Sequence, residues 1–280
     1  MFDTIAIIGV GLLGGSFGRD ARARGLARRV VGLTRSDQTA RAIVEHGAAD
    51  EATTDMAALA DADLVMLAAP VRAILAGMPD VARHARPDAI VTDMGSTKSE
   101  IVRAGESALG RRFVGGHPMC GSHESGVTAA RDNLFEGATW VLTPTDWTDP
   151  VALERVNTLA LALGAHPVLL DLDHHDRIAA AVSHMPHVAA AAITLAVARL
   201  AEGDPRFADL AGGGLRDMTR IAASPPNVWR DILSTNRANT KAALAAFRDA
   251  LDESIAAMDD DDAIETLFAD SGRARTGVVR

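Results

Sequence analysis

A glycine triplet that directly follows an apolar run near the start of the chain constrains the fold more than any other feature. Residues 4–9 have the pattern of a buried strand, and residues 11–24 have the pattern of a helix. At the junction, Gly9 permits a tight turn, Gly11 lets the backbone approach a pyrophosphate, and Gly14 lets the helix pack closely on the strand. This G-x-G-x-x-G predicts a dinucleotide-binding βαβ unit. The residues predicted to contact the cofactor there are Gly9, Gly11, Leu12, Leu13 and Gly14.

Short apolar runs continue to alternate with amphipathic segments as far as residue 171. Further strands are predicted at 29–33, 63–68, 89–93, 113–116, 139–142 and 166–171, and further helices at 37–46, 98–109 and 150–163. Strands that alternate with helices of this length form βαβ units, in which a parallel sheet is covered on both faces. We therefore expect an α/β domain of the Rossmann type with a parallel sheet over residues 1–172.

Only helical patterns follow this point. Ala-rich helices are predicted at 174–201 and 228–258, with turns at 212–214 and 225–226 and a solvated break at the acidic run 259–262. Helices with so little contrast between their faces are often buried on several sides. Residues 173–280 are thus expected to form an all-α C-terminal dimerisation domain, which would make the protein a homodimer.

Net charge and composition argue against several classes of protein. The 280 residues carry a formal net charge of −9 at pH 7, which gives nucleic acid binding little electrostatic support. The single cysteine, Cys120, cannot build a disulfide framework, and the absence of tyrosine argues against aromatic-rich binding surfaces. The N-terminus lacks a basic leader, and the longest apolar stretches are too short to span a membrane. We expect a cytoplasmic protein with a small-molecule substrate, and neither nucleic acid nor membrane as a partner.

The residues after the second predicted strand bear on the choice of dinucleotide. An Asp or Glu at this place usually binds the ribose hydroxyls of NAD. Here Thr34 takes that position and is followed by Arg35 and Ser36. An acid would repel a 2′-phosphate, whereas an arginine flanked by hydroxyl groups can bind one through charge-assisted hydrogen bonds. The sequence favours NADP over NAD; the alternatives are that Arg35 is an ordinary surface residue or stacks on the adenine.

Four further segments combine glycine, proline, histidine and charged residues in ways that an ordinary core does not need. They lie at 93–98, 115–121, 183–187 and 212–222. The first two follow predicted strands, and ligands of open α/β sheets bind beyond the carboxyl ends of the strands. The other two lie in the helical part, so all four would meet in a cleft between the two domains.

Three motifs in these segments, G-G-H-P-M, S-H-x-P-H and G-G-G-x-R-D-x-T-R-I-A, together resemble the prephenate/arogenate dehydrogenase family of tyrosine biosynthesis. The resemblance extends from Gly9 to about Arg237. It implies a Rossmann domain followed by a helical dimerisation domain, no metal, and an oxidative decarboxylation with hydride transfer to NAD or NADP. Prephenate would give 4-hydroxyphenylpyruvate and CO2, and arogenate would give tyrosine and CO2.

The resemblance also assigns roles to individual residues. His117 would accept the proton of the ring hydroxyl while hydride leaves the same carbon, which a neutral histidine can do near pH 7. Ser96 would orient that hydroxyl, and Arg220 would hold the substrate carboxylates. The nicotinamide would lie near Ala69 and Pro70. The other residues implied for the substrate pocket are His187, Gly213 and Trp229.

One segment departs from the family pattern. After His-Pro-Met-x-Gly, many members continue with Thr or Ser and then Glu, whereas this chain has Ser122 and His123. A glutamate there would attract the ammonium group of arogenate, and a histidine would not do so in the same way. Both residues are expected in the substrate site. Because the adjacent Glu124 could turn inward, both substrates stay open.

Several polar residues have competing structural interpretations. Ser96 can cap the helix that starts near Lys98. His184 suits a structural role as well as a functional one. His174 and His175 are expected to cap a helix or to make hydrogen bonds between domains rather than to take part in chemistry.

Two other functions stay open at this point. A 3-hydroxyacid-type dehydrogenase would rest its chemistry on a helical lysine, and neither Lys98 nor Lys241 lies in such a motif. A non-catalytic nicotinamide-sensing protein would show decayed catalytic positions, yet His117, Ser96 and Arg220 are all present. We expect the two catalytic parts to take up the whole chain, without a mutase-like or regulatory module.

Overall fold

An eight-stranded sheet forms the centre of the first part of the protein in the computed structural model, which describes residues 1–121 and 124–279. The strands are β1 (Phe2–Ile8), β2 (Ala27–Leu33), β3 (Glu51–Thr53), β4 (Leu64–Leu67), β5 (Ile90–Asp93), β6 (Phe113–Pro118), β7 (Thr139–Thr143) and β8 (His166–Leu169). Their order across the sheet is β3-β2-β1-β4-β5-β6-β7-β8. Because the order reverses between β1 and β4, a crevice opens at the carboxyl ends of these two strands.

Helices cover both faces of this sheet. They are α1 (Leu12–Ala23), α2 (Asp37–Glu45), α3 (Val71–His84), α4 (Ser99–Leu109) and α5 (Pro150–Ala162). Successive side chains of a strand point to opposite faces, and along β1 Ile5 and Ile7 belong to one buried apolar cluster while Ala6 belongs to the other. The predicted Rossmann-type fold, with a core on each side of the sheet, is confirmed.

The sequence pattern predicts a parallel sheet, but one pair of strands in the structure is antiparallel. β7 runs antiparallel to β6, with Gly116 opposite Leu142 and His117 opposite Val141, and β8 is parallel to β7. A parallel neighbour needs a crossover connection, usually a helix. In the described part of the segment that joins β6 to β7, the only helical element is the 3₁₀ turn Val127–Ala129, so the chain returns in the opposite direction.

The sequence pattern does not predict α3. Pro70 precedes this helix, and Pro79 lies inside it, where proline usually disrupts a helix. Burial of Ile74, Met78 and Val81 on one face of the helix offsets that cost. The short edge strand β3 is likewise absent from the prediction.

Helices are the only regular elements in the described residues of the second part of the protein, as predicted. Its helices are α6 (Leu172–Ala179), α7 (Met185–Ala201), α8 (Arg206–Asp209), α9 (Gly213–Thr219), α10 (Pro226–Thr235), α11 (Arg237–Ala256) and α12 (Asp261–Val278). A single π-helical turn, Ala180–His184, joins α6 to α7 without interruption. The acidic run breaks the helical pattern as expected. The Asp260 side chain caps the start of α12 by accepting hydrogen bonds from the N–H groups of Asp262 and Ala263.

The single long helix predicted at 228–258 is wrong. Asn236 has φ −126° and ψ 37°, which ends α10 and starts α11. Its buried amide donates to the carbonyl oxygen of Asp176 at 2.6 Å and lies 3.2 Å from Nδ1 of His184. These distant polar partners explain a break that the local pattern does not show.

The continuous helix from Leu172 to Ala201 also corrects an expectation. By length and composition alone it is apolar enough to cross a membrane, because the π turn joins two helices that a count of consecutive apolar residues treats separately. Only 22% of its apolar window is buried inside the described chain. Leu195 and Leu200 are 57% and 72% exposed. A long apolar surface of this helix is therefore uncovered in the single chain.

Candidate active site

The glycine triplet forms the turn between β1 and α1. Gly9 has φ +92°, and a Cβ there would lie 2.7 Å from the backbone nitrogen of Ala69. A Cβ at Gly14 would collide with the carbonyl oxygen of Gly9. At Gly11, in contrast, a Cβ would meet no atom of the described chain within 4 Å. Packing thus requires the first and third glycines, while the second borders open space of the kind that a pyrophosphate needs.

The start of α1 and the end of β4 border the same crevice. Gly11 is the N-cap of α1 and supplies no side chain, so the N–H groups and positive dipole of the helix N-terminus face this space. Ala69 lies against Gly9, and Pro70 is the N-cap of α3. Leu12 is buried and Leu13 packs against the core, so these two residues present backbone rather than side chain. This arrangement fits a dinucleotide bound through its phosphates.

The loop after β2 carries the predicted ribose-side residues. The Thr34 backbone N–H donates to Thr53 at 3.1 Å. The Ser36 hydroxyl accepts a hydrogen bond from the N–H of Thr39 at 3.2 Å, so it caps α2. Arg35 is exposed, and its side chain has no hydrogen-bond or ion-pair partner within the described residues. The Arg35 guanidinium group after β2 is therefore available to a ligand, whereas the Ser36 hydroxyl is already used to cap α2.

His117 lies near the end of β6 and is 9% exposed. Its Nδ1 lies 2.8 Å from Nε2 of His175, and the two rings meet edge to face. The preceding residue must be glycine because a Cβ at Gly116 would lie 2.7 Å from the carbonyl oxygen of Asp93. The G-G-H-P sequence therefore packs the strand tightly while it presents one imidazole at its carboxyl end.

His175 connects His117 to a buried carboxylate. Its Nδ1 lies 2.9 Å from Oδ1 of Asp176. The same carboxylate accepts the backbone N–H groups of Lys98 at 2.7 Å and Ser99 at 2.9 Å, so it caps α4 from the helical part of the chain. Burial raises the pKa of Asp176, but the hydrogen bonds from His175, Ser99 and Lys98 outweigh burial and lower that pKa overall. Asp176 is thus ionised at neutral pH.

A buried ion pair fixes the strand segment before His117. Lys98 Nζ pairs with a carboxylate oxygen of Asp93 and donates to the carbonyl oxygen of Gly116 at 2.7 Å. The other Asp93 oxygen accepts the N–H of Gly116 at 3.0 Å. Burial lowers the pKa of Lys98, while the charge and hydrogen bond of Asp93 oppose that shift. This pair holds the loop after β5 against β6.

Ser96 lies in that loop and is half-buried. The side chain makes no hydrogen bond within the described residues, and α4 begins at Ser99 with Lys98 as its N-cap. The alternative that Ser96 caps α4 is therefore wrong, because the distant Asp176 takes that role. The Ser96 hydroxyl is left free at the carboxyl edge of the sheet.

The histidines of the S-H-x-P-H motif lie on one face, as their spacing predicts, and both contact Trp229. His187 stacks on the indole with 3.8 Å between ring centroids, and His184 meets it edge on at 6.1 Å. His184 is buried, its Nδ1 faces the side chains of Asn236 and Thr240, and burial lowers its pKa to about 4. His184 thus serves the structure, while His187 and Trp229 form a flat aromatic wall.

Arg220 lies close enough to this wall to influence it. It begins the 3₁₀ turn Arg220–Ala223, is exposed, and has no ion-pair partner among the described residues. Burial and, in addition, the charge of Arg220 lower the pKa of His187, although a hydrogen bond to Ser183 opposes the shift. Gly213 begins α9 and borders open space.

A continuous set of contacts links the two groups of predicted residues. Starting from His117, it runs through His175 and Asp176 to Asn236, and from there through His184 and Trp229 to His187. The sequence motifs identify the ends of this set but not its middle. Asp176 and Asn236 carry no local signal beyond the two adjacent histidines before Asp176.

Of the remaining predicted residues, some make none of these contacts and others lie outside the part of the chain that the structure describes. Ser122 and His123 lie outside the described residues. Cys120 is half-buried against the core, and burial raises the pKa of its thiol to about 12, so the thiol is neutral. Among the described residues, no group of three or more His, Cys, Asp and Glu side chains is placed to hold a metal ion.

Comparison with known proteins identifies a family for both parts of the chain. The family model for the prephenate dehydrogenase nucleotide-binding domain matches residues 17–169, and the model for the prephenate dehydrogenase dimerization domain matches residues 171–269. Prephenate dehydrogenase of Bacillus subtilis is 38% identical over 241 residues, which are 85% of this chain. The chain spans 65% of the length of that relative.

Two solved structures cover essentially the whole chain. Prephenate dehydrogenase of Aquifex aeolicus, in complex with hydroxyphenyl propionate and NAD+, has a TM-score of 0.90 and 34% identity, with 99% of each chain covered. Arogenate dehydrogenase of Synechocystis has a TM-score of 0.83 and 30% identity, with 99% of this chain and 100% of that chain covered. The fold, both domain models and these relatives agree with the motifs at the sheet edge. This chain belongs to the prephenate/arogenate dehydrogenase family.

Proposed function

We propose that the protein oxidatively decarboxylates prephenate or arogenate with NAD(P)+ as the hydride acceptor, and releases CO2 together with 4-hydroxyphenylpyruvate or tyrosine. The observation that carries this proposal is the buried His117, whose Nδ1 is engaged by His175, so that Nε2 is the nitrogen left for a substrate. A dinucleotide would be held at the glycine turn by Gly9, Gly11 and Gly14, and its nicotinamide would supply the acceptor for the hydride of the ring carbon that bears the hydroxyl. His117 accepts the hydroxyl proton, and aromatisation drives the loss of the ring carboxylate.

The other predicted residues divide between orientation and binding. The free hydroxyl of Ser96 orients the substrate hydroxyl beside His117. Arg220 binds a substrate carboxylate through its guanidinium fork. The stacked pair of His187 and Trp229 forms a flat surface for the substrate ring, and Gly213 leaves room next to it. The resemblance to the family also implies Ser122 and His123 for substrate binding; both lie outside the described residues.

The lysines argue against the 3-hydroxyacid-type alternative. Lys98 is fully buried and is held by Asp93 and Gly116, so it cannot reach a substrate. Lys241 lies on the exposed face of α11. Neither can serve as the helical lysine that such chemistry needs. The sensor alternative is not favoured because a buried histidine with an engaged Nδ1 lies near the carboxyl end of β6, at the same edge of the sheet as the glycine turn.

A two-by-two assay of prephenate or arogenate against NAD or NADP tests the activity and the preference for NADP together. We expect reduced cofactor to form, with higher kcat/KM for NADP than for NAD. Arg35→Ala should raise KM for NADP by ~10-fold or more and leave KM for NAD nearly unchanged. The substitution removes a contact between the guanidinium and the 2′-phosphate, a group that NAD lacks. Arg41→Ala, an exposed arginine of α2, is the matched control. Equal effects of Arg35→Ala on both cofactors would refute the 2′-phosphate role, and no turnover in all four combinations would refute the activity.

The pH profile should report an unusually acidic base. Burial first, and then the neighbouring His175, Lys98 and His184, hold the pKa of His117 well below its ordinary value of 6.5. A general base works only when it is unprotonated. We therefore expect kcat/KM to stay level from pH 8 to below pH 6.5 and to fall only at more acidic pH. Initial rates of cofactor reduction check this; an acid limb with its midpoint at or above 6.5 would contradict it.

Protein stability changes in the same pH range and needs its own measurement. The folded-state pKa values of His117 and His184 lie below the value of 6.5 expected for an unfolded chain, so the unfolded chain binds more protons below that pH. The free energy of unfolding should fall as pH falls below 6.5. Thermal unfolding at each pH separates this loss from titration of the base.

The uncovered apolar face of the helical part supports a homodimer. The helix from Leu172 to Ala201 exposes apolar side chains along its length, and Phe268 on α12 is 70% exposed. A second copy of the chain would remove this surface from water. We place the boundary between the dinucleotide-binding and helical domains at residue 172, where α6 begins, and propose a cytoplasmic location. Sedimentation at micromolar concentration should give twice the 29.3 kDa mass of one chain, and a monomeric mass would contradict the dimer.

A further inference from the structure

We propose that His175 and Asp176 are positioning residues that fix the tautomer of His117 and stabilise the positive charge that develops on it. The inference rests on the proposed role of His117 as the base. It goes beyond that role by giving His175 and Asp176 functions of their own in the reaction. Three side chains, two from the helical part and one from the sheet, form an unbroken buried chain: Nδ1 of His117 to Nε2 of His175 at 2.8 Å, and Nδ1 of His175 to Asp176 at 2.9 Å.

The donors and acceptors at the Asp176 end determine the direction of every hydrogen bond in this chain. An ionised carboxylate only accepts, and Asp176 already accepts two backbone N–H groups. His175 must therefore donate to it from Nδ1. A neutral imidazole has one donor and one acceptor nitrogen, so Nε2 of His175 accepts. His117 must then donate from Nδ1, which leaves the lone pair on its Nε2 for the substrate hydroxyl.

The same arrangement stabilises the product of proton transfer. When Nε2 of His117 takes the substrate proton, an O–H bond breaks, an N–H bond forms, and the imidazolium carries a positive charge. The Nδ1–H group of His117 then donates a stronger hydrogen bond to Nε2 of His175, and Nδ1 of His175 in turn donates to the Asp176 carboxylate. Asp176 stays ionised, because two backbone N–H groups and His175 hold its negative charge. At the end of this step the proton is on His117, and the electron pair of the broken C–H bond has gone to the nicotinamide as hydride. When the ring carboxylate is lost as CO2, the phenolate oxygen takes a proton back from His117, which restores the neutral base.

The groups around His117 oppose each other, and this is why the carboxylate matters. The charged and titratable side chains that face this region are Lys98, Asp93, His175, Asp176 and His184. Burial, Lys98 and the two histidines disfavour an imidazolium. Asp176 is the negative charge at the far end of the histidine pair, while Asp93 is already neutralised by Lys98.

The chain of three also joins the two parts of the protein. His117 belongs to β6, whereas His175 and Asp176 belong to α6 and lie 58 and 59 residues away in sequence. Asp176 additionally caps α4, which follows the loop of Ser96. The base is therefore correctly oriented only when α6 is docked on the sheet edge.

Two substitutions at position 175 separate positioning from packing. His175→Phe keeps a buried ring but removes the acceptor, and should lower kcat by ~10²-fold with little change in substrate KM or cofactor Kd. His175→Gln can donate to Asp176 through its amide nitrogen and accept from His117 through its amide oxygen, so it should keep kcat within ~10-fold of the wild type. A purely structural role would make phenylalanine at least as good as glutamine.

Asp176→Asn tests the charge. Removing the negative charge disfavours the imidazolium, so the acid limb of kcat/KM should move to lower pH while kcat falls. Asp173→Asn is the matched control, because Asp173 is an exposed neighbour on α6 that accepts only from Ser99 Oγ and Arg103. It should leave both the limb and kcat unchanged. An acid limb in Asp176→Asn at the wild-type position would overturn the charge role.

The ¹⁵N chemical shifts of the imidazole nitrogens give a readout that does not depend on activity. In the wild-type protein at pH 8, Nδ1 of His117 should be the protonated nitrogen, and this preference should persist in His175→Gln and disappear in His175→Phe. A wild-type spectrum with Nε2 protonated overturns the inference even if no variant folds. Full activity of His117→Asn would instead refute the proposed base, whereas an inactive His117→Asn beside a fully active His175→Phe would refute the positioning role alone.

Discussion

Replacing His117 with asparagine is expected to lower kcat by ~10²–10⁴-fold, the range usual for loss of a general base. The amide nitrogen of asparagine can stand near the present Nδ1 and keep the hydrogen bond to His175. Nothing then remains at the position of Nε2 to take the substrate proton. Because the glycine crevice lies at β1 and β4 rather than at β6, the Kd of the cofactor should be nearly unchanged.

Two measurements make this test specific. The exposed His174→Asn, the same chemical change on α6, should leave kcat at the wild-type value. Cofactor Kd by fluorescence titration and the thermal unfolding midpoint show whether the His117 variant is folded. A folded His117→Asn with kcat within threefold of the wild type, or with an equal loss of cofactor affinity, would remove His117 from the reaction.

Features that depend on neighbours in sequence are predicted well. The glycine triplet, the strand before it and the helix after it form one local unit. The structure shows that packing requires Gly9 and Gly14 and that Gly11 borders open space. The two histidines of the S-H-x-P-H motif share a helix face by spacing alone, and both meet Trp229. The buried strands that carry the sheet edge follow from short apolar runs in the same way.

Features that depend on distant partners are not predicted. Asp176 caps α4 from 77 and 78 residues away, so Ser96, the local alternative for that cap, is left free. Asn236 interrupts a helical pattern because its amide is held by groups 52 and 60 residues away. A hydrogen bond of His175 between the two parts of the chain is predicted and confirmed, but only the fold identifies His117 as its partner. Local patterns therefore locate the ends of the candidate site, while the side chains that orient its base become visible only in three dimensions.

Arg220→Ala is expected to raise the substrate KM by ~30-fold or more, or ~2 kcal/mol, the lower end for removing one partner of a charge pair that binding takes out of water. The guanidinium is exposed in the free chain and is unpaired within the described residues, so no protein partner is lost with it. In the variant, a substrate carboxylate bound against the wall of His187 and Trp229 would lose both the positive charge and the planar hydrogen-bonding fork of the guanidinium. The KM for the dinucleotide should change little, since Arg220 lies in the helical part.

Two companion variants decide whether charge or geometry matters. Arg220→Lys keeps the positive charge without the planar fork and should lie between the wild type and Arg220→Ala in KM. Arg83→Ala, an exposed arginine of α3 that pairs only with Asp80, is the matched control and should bind substrate normally. Because the charge of Arg220 helps to lower the pKa of His187, we expect that pKa to rise in Arg220→Ala. An NMR titration of His187 measures this change. A raised pKa of His187 with an unchanged substrate KM would leave Arg220 beside the aromatic wall but exclude it from carboxylate binding.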